Sequence, residues 1–302
     1  MHLGIHRPAS VNDREHPAAP SGRRGDGRTV AGGSRLLVAS GKGGVGTSLM
    51  AALHALCAAE RGDRVLLVDA TETGGTLHHL LGARPSHSLW MLTDPRSRID
   101  DVLIPVDEQL TLVAGGTSAA AVPPATDTER RAALRRLART FASFDLIVID
   151  AGSRLDTIGA VIEGADPMML LVTSADRLSL AANYALLKAV AALRADAPIA
   201  VLANRHGDML AQEACGFLTG AASHFLGRSI DSVGAVPDDP YLQGAIGAGM
   251  TLRDSIDGSP AADAVRGVVS RLIPSRRTPV PAYASIAMSP VPVSSSSTRR
   301  WA

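Results

Sequence analysis

Short apolar runs recur along this chain, separated by longer stretches in which apolar residues return every three or four positions. Leu36-Leu37-Val38-Ala39, Val65-Leu66-Leu67-Val68, Leu110-Thr111-Leu112-Val113, Leu146-Ile147-Val148-Ile149, Met169-Leu170-Leu171-Val172 and Ile199-Ala200-Val201-Leu202 are mostly apolar on both faces. Strands read this way when the sheet is covered on both sides, as parallel sheets are. The intervening helical runs, such as residues 49–59, supply the crossovers. The expected fold class is therefore α/β, a mostly parallel twisted sheet with helices on both faces. Residues 261–273 carry Val265, Val268, Val269 and Leu272 on one side and arginines opposite, and read as the last core helix.

The ends of the chain do not share this pattern. Residues 1–34 are rich in Pro, Gly, Arg and Ala without apolar periodicity, so a disordered arm is expected there. Residues 274–302, with Pro279, Pro281, Pro290, Pro292 and a serine run, read as a second disordered tail. Residues 35–273 remain as one domain. The 302 residues carry a formal charge of +1, which gives no global attraction to nucleic acid or to an anionic membrane. No apolar run reaches the ~18 residues that span a bilayer, and the N-terminus lacks a basic-then-apolar signal. A cytoplasmic location is expected, with contact to the inner face of the cell membrane peripheral at most. The two cysteines, Cys57 and Cys215, have no spacing suited to a disulfide framework or a cluster. Of the histidines, His54, His78, His79 and His87 have no cysteine or spaced acid to complete a metal set, and adjacent His78 and His79 are expected to diverge on a helix.

The chemistry concentrates after the first strand. Gly41-Lys42-Gly43-Gly44-Val45-Gly46-Thr47-Ser48 keeps the spacing of a phosphate-binding loop, G-x-x-x-x-G-K-[ST], except that Thr47 stands where the lysine belongs. Glycines let successive N–H groups curl around phosphate at the start of a helix, so the loop is expected to form. Two strands end in acids, Asp69 and Asp150. Beside such a loop these acids hold Mg²⁺ or its waters, with Ser48 as the hydroxyl ligand. Lys42 and Lys188 are the only lysines among 30 basic residues. A lysine kept inside the loop points to a need for its compact ammonium.

These residues resemble the MinD/ParA family of deviant P-loop ATPases, whose loop reads K-G-G-x-G-K-[ST]. The resemblance covers about residues 35–273 and implies a P-loop NTPase fold of the SIMIBI type with ATP or ADP and Mg²⁺ as cofactors. It implies that Lys42 reaches the nucleotide of a partner subunit in a homodimer formed on ATP binding. Ala203-Asn204-Arg205 resembles the segment whose asparagine reads adenine, and Pro237-Asp238 the loop that flanks the base. Ala182-Asn183-Tyr184-Ala185-Leu186-Leu187-Lys188 and His224-Phe225-Leu226-Gly227 resemble the FlhG-type regulators of flagellar number and placement. That branch implies a flagellar assembly GTPase or motor and regulatory proteins as partners, although the N-terminal Asp-Gln-Ala-x-x-Leu-Arg stretch that engages the GTPase is absent from this chain. Three departures bear on activity: Thr47 replaces the loop lysine, Thr71 replaces the second acid of Asp-x-Asp, and Glu72-Thr73-Gly74-Gly75-Thr76 departs from the family's Gly-Leu-x-Asn. Loss of one charge-assisted phosphate contact costs ~1.5–3 kcal/mol, about ten- to a hundred-fold in affinity. The expectation is a nucleotide-binding switch with slow or absent ATP turnover. A pilus-assembly localisation factor of the CpaE/TadZ type and a nucleotide-free binding scaffold are the alternatives.

Overall fold

The computed structural model describes residues 33–116 and 126–274. The expected N-terminal arm and Pro/Ser tail fall, apart from residues 33–34 and 274, outside the described residues. Within them an eight-stranded sheet runs in the order β3-β4-β2-β5-β1-β6-β7-β8. Its strands are β1 Ser34–Ala39, β2 Val65–Asp69, β3 Ile104–Pro105, β4 Leu110–Val113, β5 Leu146–Gly152, β6 Met168–Thr173, β7 Ile199–Asn204 and β8 Asp231–Val236. Every pairing is parallel except that of β3 with β4. β1 sits centrally between β5 and β6.

The strands are apolar on both faces because both faces are covered. Leu36 and Val38 of β1, Val65 and Leu67 of β2, and Leu146 and Val148 of β5 enter one core with helices α1 (Thr47–Glu60) and α8 (Pro260–Leu272). The alternate residues, Leu37, Leu66, Val68, Ile147 and Ile149, enter a second core on the opposite face. There they meet α3 (Asp127–Leu137), α4 (Leu155–Ala165), α5 (Arg177–Leu193) and α6 (Asp208–Leu226). The segment read as a last core helix is α8, with Val265, Val268 and Val269 buried. Two short helices complete the chain order, α2 (Leu77–Leu80) after β2 and α7 (Pro240–Gly247) after β8. His78 and His79 face different surroundings, His78 buried and His79 exposed, although their rings lie 3.9 Å apart as neighbours on the single turn of α2.

Two strands escaped the apolar-run criterion. β3 is two residues long. β8 is an edge strand whose residues are exposed at Asp231, Ser232 and Gly234, so it lacks a continuous apolar run.

Candidate functional site

The phosphate loop links the carboxyl end of β1 to α1. Gly44 and Gly46 have φ values of +83° and +91°, a region where a side chain is strained. α1 begins without a side-chain cap and without an acid in its first turn, so its N-terminus is open toward an anion. Two buried asparagines grip the loop from below. Gly41 N–H donates to Asn183 Oδ1 at 2.6 Å, and Asn183 Nδ2 donates to the Val172 carbonyl of β6 at 3.1 Å. Asn204 Nδ2 donates to the Val45 carbonyl at 2.8 Å. A Cβ on Gly41 would fall 2.2 Å from the backbone of Ala182, and one on Gly46 would fall 2.4 Å from Asn204 Nδ2. These two glycines are needed for close approach as well as for turn geometry.

Thr47 does not extend outward as a lysine would. It is buried, with its hydroxyl 2.8 Å from Ser40 Oγ, and Ser40 Oγ donates to the Lys42 carbonyl at 2.9 Å. Because that bond takes the single Ser40 hydroxyl hydrogen, Thr47 is the donor to Ser40. The position of the missing lysine is thus occupied by a hydroxyl chain that closes the loop on itself. Lys42 points away, with Nζ 3.4 Å from Asp176 Oδ1 and both side chains about half exposed. Pairs of this kind contribute ~0–1 kcal/mol and exchange readily. The Ser174 hydroxyl, together with the Ser179 N–H that Asp176 accepts as the cap of α5, holds the Asp176 carboxyl down at about 2.

The two strand-end acids meet. β2 and β5 are paired so that Asp69 lies opposite Asp150, both fully buried. Asp69 Oδ1 accepts from Thr71 N–H at 3.0 Å and Thr71 Oγ at 2.5 Å, and Asp150 Oδ1 accepts from Gly152 N–H at 3.0 Å. The other oxygen of each carboxylate is buried without a hydrogen-bond donor. The amides of Thr76 and Leu77 face Asp69 only outside hydrogen-bond geometry. Burial raises the Asp69 carboxyl, against the opposing effect of Thr71 and these amides. Burial and the charge of Asp69 together push Asp150 up to about 7, although the Ser48 hydroxyl and the Gly152 amide oppose this. Two buried carboxylates with bare oxygens beside a serine hydroxyl suit a Mg²⁺ ion, which takes one or two carboxylates and fills its remaining sites with phosphate and water. Among the described residues no group of three or more His, Cys, Asp or Glu side chains could hold a metal. Thr71 places a neutral hydroxyl, already spent on Asp69, where a second acid would stand.

The remaining sequence-identified residues line the next strand ends. Arg205 follows Asn204 in a left-handed conformation, φ +65°, and its N–H donates to the Val236 carbonyl at 2.9 Å. That bond ties the Asn204-Arg205 corner to the strand leading into Pro237 and Asp238. Asp238 is exposed and accepts from Gln243 Nε2 at 2.6 Å. Its neighbour Asp239 is the structural residue, capping α7 and accepting from Ser259 Oγ at 2.6 Å.

Several residues here were not identified from the sequence as parts of the site. Asn183 interrupts the buried stripe of α5, where Ser179, Leu186, Leu187 and Val190 are its neighbours, and a polar residue on an apolar stripe was the available signal. Arg130 of α3 is buried and pairs with Glu72 and Asp127, while Asp156 lies 3.7 Å away. Arg154, half exposed, pairs with Asp156 at 2.6 Å and Glu72 at 3.5 Å. This ionic cluster joins the loop after Asp69 to the loop after Asp150. Finally, the four helices that follow β5, β6, β7 and β8 each expose a large apolar residue in their first turn. These are Leu155, Leu178, Met209 and Tyr241, between 48% and 73% exposed. They surround the end of the sheet that carries the loop.

Known proteins share this arrangement. A ParA family model, described as an NUBPL iron-transfer P-loop NTPase, matches residues 33–117, the span of the loop and Asp69. The antiactivator FleN of Pseudomonas aeruginosa is 23% identical over 239 residues, covering 78% of this chain and 85% of FleN. The chain is thus similar to the MinD/ParA P-loop NTPases, through the family model over residues 33–117 and through FleN over most of its length. Solved MinD/ParA structures have its fold. The ParA family ATPase from Chlorobium tepidum TLS superposes with a TM-score of 0.64 at 21% identity, covering 80% of this chain and 99% of that one. MinD from Pyrococcus horikoshii OT3, solved in complex with Mg-ADP, gives 0.60 at 20% identity, covering 79% and 95%. The MinD/ParA fold accounts for the parallel sheet and for the loop at the carboxyl end of its central strand. Cys57 and Cys215 are free and buried on separate helices, with burial pushing the Cys57 thiol up to about 12. They offer no paired thiolates for iron.

Proposed function

We propose that this chain is an adenine-nucleotide-dependent switch that controls the number or placement of a cell structure, the flagella, with weak or absent ATP hydrolysis. The observation that carries the nucleotide reading is the Asp69–Asp150 pair with two bare buried oxygens beside an uncapped, glycine-built phosphate loop. In this reading the N–H groups of Gly43, Gly44, Val45 and Gly46 cradle phosphate. Ser48, Asp69 and Asp150 would hold Mg²⁺, which would supply positive charge to offset that of the phosphates. Asn204, Arg205, Pro237 and Asp238 frame the base. Weak turnover is supported by Thr47, whose hydroxyl is spent on Ser40, and by Thr71, which is no base for water.

Homodimer formation on ATP binding is supported by two features of the same face. Lys42 is held only by a half-exposed pair, and the apolar first-turn residues Leu155, Leu178, Met209 and Tyr241 ring the site. The flagellar assignment rests on the likeness to FleN, named an antiactivator, and on the FlhG-like runs of the sequence. A cytoplasmic chain acting on motor or regulatory proteins follows from that assignment, and among the described residues no helix is long and apolar enough to cross a membrane.

Titration with a fluorescent ATP analogue, with and without Mg²⁺, tests the nucleotide reading. Micromolar, Mg²⁺-dependent binding with turnover slower than that of a Thr47→Lys variant is expected. No binding up to millimolar nucleotide would replace the switch by a nucleotide-free scaffold. Pilus secretion genes beside this one, in place of flagellar genes, would overturn the flagellar part.

A further inference from the structure

The seam between α3 and α4 holds a feature that the nucleotide site does not use. A cavity of about 180 Å³ opens there, with Ile149 of β5, Leu134, Phe141, Ala160 and Val161 among its apolar lining. A dry apolar cavity of about 150 Å³ holds a benzene ring, so this one accepts a body of about six or seven carbons. Its lining also carries charge. Arg131 and Arg135 stand one turn apart on α3, and Glu163 stands on α4. Glu163 pairs with Arg131. Arg135 is exposed and has no carboxylate partner among the described residues.

A second cation borders the same space. Arg35 of β1 lies with its guanidinium 5.6 Å from the centre of the Phe141 ring, and its Nη1 donates to the Ala165 carbonyl. Phe141 and Ala165 both line the cavity. Arg35 Nε is buried with no acceptor, and Arg35 has no carboxylate partner among the described residues. An apolar hollow bordered by more cations than anions selects one ligand class. A cationic ligand is repelled by Arg35 and Arg135, and a neutral apolar one gains nothing from them, whereas a carboxylate gains a charge-assisted hydrogen bond.

We propose that the α3–α4 cavity binds a small amphipathic carboxylate, with its hydrocarbon body against Phe141 and Val161 and its carboxylate at Arg135. Arg35 adds positive potential from the strand side. The site is independent of the phosphate loop and requires no nucleotide.

The test is calorimetric titration of the full chain, without nucleotide, with hexanoate, and in parallel with hexylammonium, hexan-1-ol and acetate. Saturable binding of hexanoate alone is expected. Arg135→Glu, at an exposed position, should weaken it at least tenfold, and Ala160→Phe, which fills the cavity, should abolish it. If Ala160→Phe fails to fold by circular dichroism, Arg135→Glu decides by itself. The proposal is overturned if hexanoate shows no saturation up to about 10 mM, a range in which a ligand of eight heavy atoms in a fitted site should bind. It is equally overturned if hexylammonium or hexan-1-ol binds as tightly, or if Arg135→Glu leaves the affinity unchanged.

Discussion

Replacing Asp150 by asparagine distinguishes an acid poised for a cation from one that merely packs. Burial beside Asp69 moves the Asp150 carboxyl from its usual 3.8 to about 7. Three units of pKa at about 1.4 kcal/mol each mean that holding Asp150 ionised costs the folded state about 4 kcal/mol. Below 3.8 the group is protonated in both folded and unfolded chains and costs nothing. The penalty grows as pH rises and is complete above about 7. Asparagine keeps the oxygen that accepts from Gly152 N–H, and burying its new NH₂ without an acceptor offsets about 1 kcal/mol. Asp150→Asn should therefore be more stable than the wild type by about 3 kcal/mol at pH 8 and by less than about 1 kcal/mol at pH 5. Urea unfolding at the two pH values measures the difference. Adding Mg²⁺ and ADP at pH 8 should stabilise the wild type and leave the variant almost unchanged, since the variant lacks the charge that the cation would neutralise. A variant less stable than the wild type at pH 8, or a gain equal at both pH values, would refute the argument.

Other substitutions test neighbouring parts of the site. Thr47→Lys sacrifices the Ser40 bond, worth about 1 kcal/mol, but restores a charged phosphate contact, so affinity for an ATP analogue should rise about ten- to a hundred-fold. Unchanged affinity in that titration would mean that the loop does not hold phosphate. Arg130→Ala leaves Glu72 buried without its closest cation and should cost about 3–5 kcal/mol by denaturant unfolding. Arg154→Ala removes a half-exposed partner of the same cluster and should cost about 1 kcal/mol or less. Gly46→Ala combines a positive φ with a contact on Asn204 and should destabilise by more than about 1 kcal/mol. Gly43→Ala, with open space above it, should leave stability within about 1 kcal/mol, as thermal melts would show.

The central strands, the phosphate loop and the acids Asp69 and Asp150 were legible in the sequence because each is a local pattern. Four apolar residues in a row describe a strand buried on both faces, and glycines at fixed spacing describe a turn around phosphate. β8 was not legible, because an edge strand with one face open to solvent carries no continuous apolar run. Contacts that join distant segments were equally hidden. Asn183 reaches Gly41 across 142 positions, and Arg130 reaches Glu72 across 58.

The sequence by itself determined that this chain builds a parallel sheet with a glycine loop of phosphate-loop spacing after its first strand, and that the loop has Thr47 where that spacing places a lysine. Only the tertiary structure decided what Thr47 does in place of that lysine, because its partner Ser40 is identified by the curl of the loop rather than by spacing. Strand order likewise decided that Asp69 and Asp150 face each other, since the pairing of β2 with β5 joins segments some 80 residues apart. Periodicity along a chain records which face each element buries. It does not record which elements become neighbours, and the charge of this site depends on those neighbours.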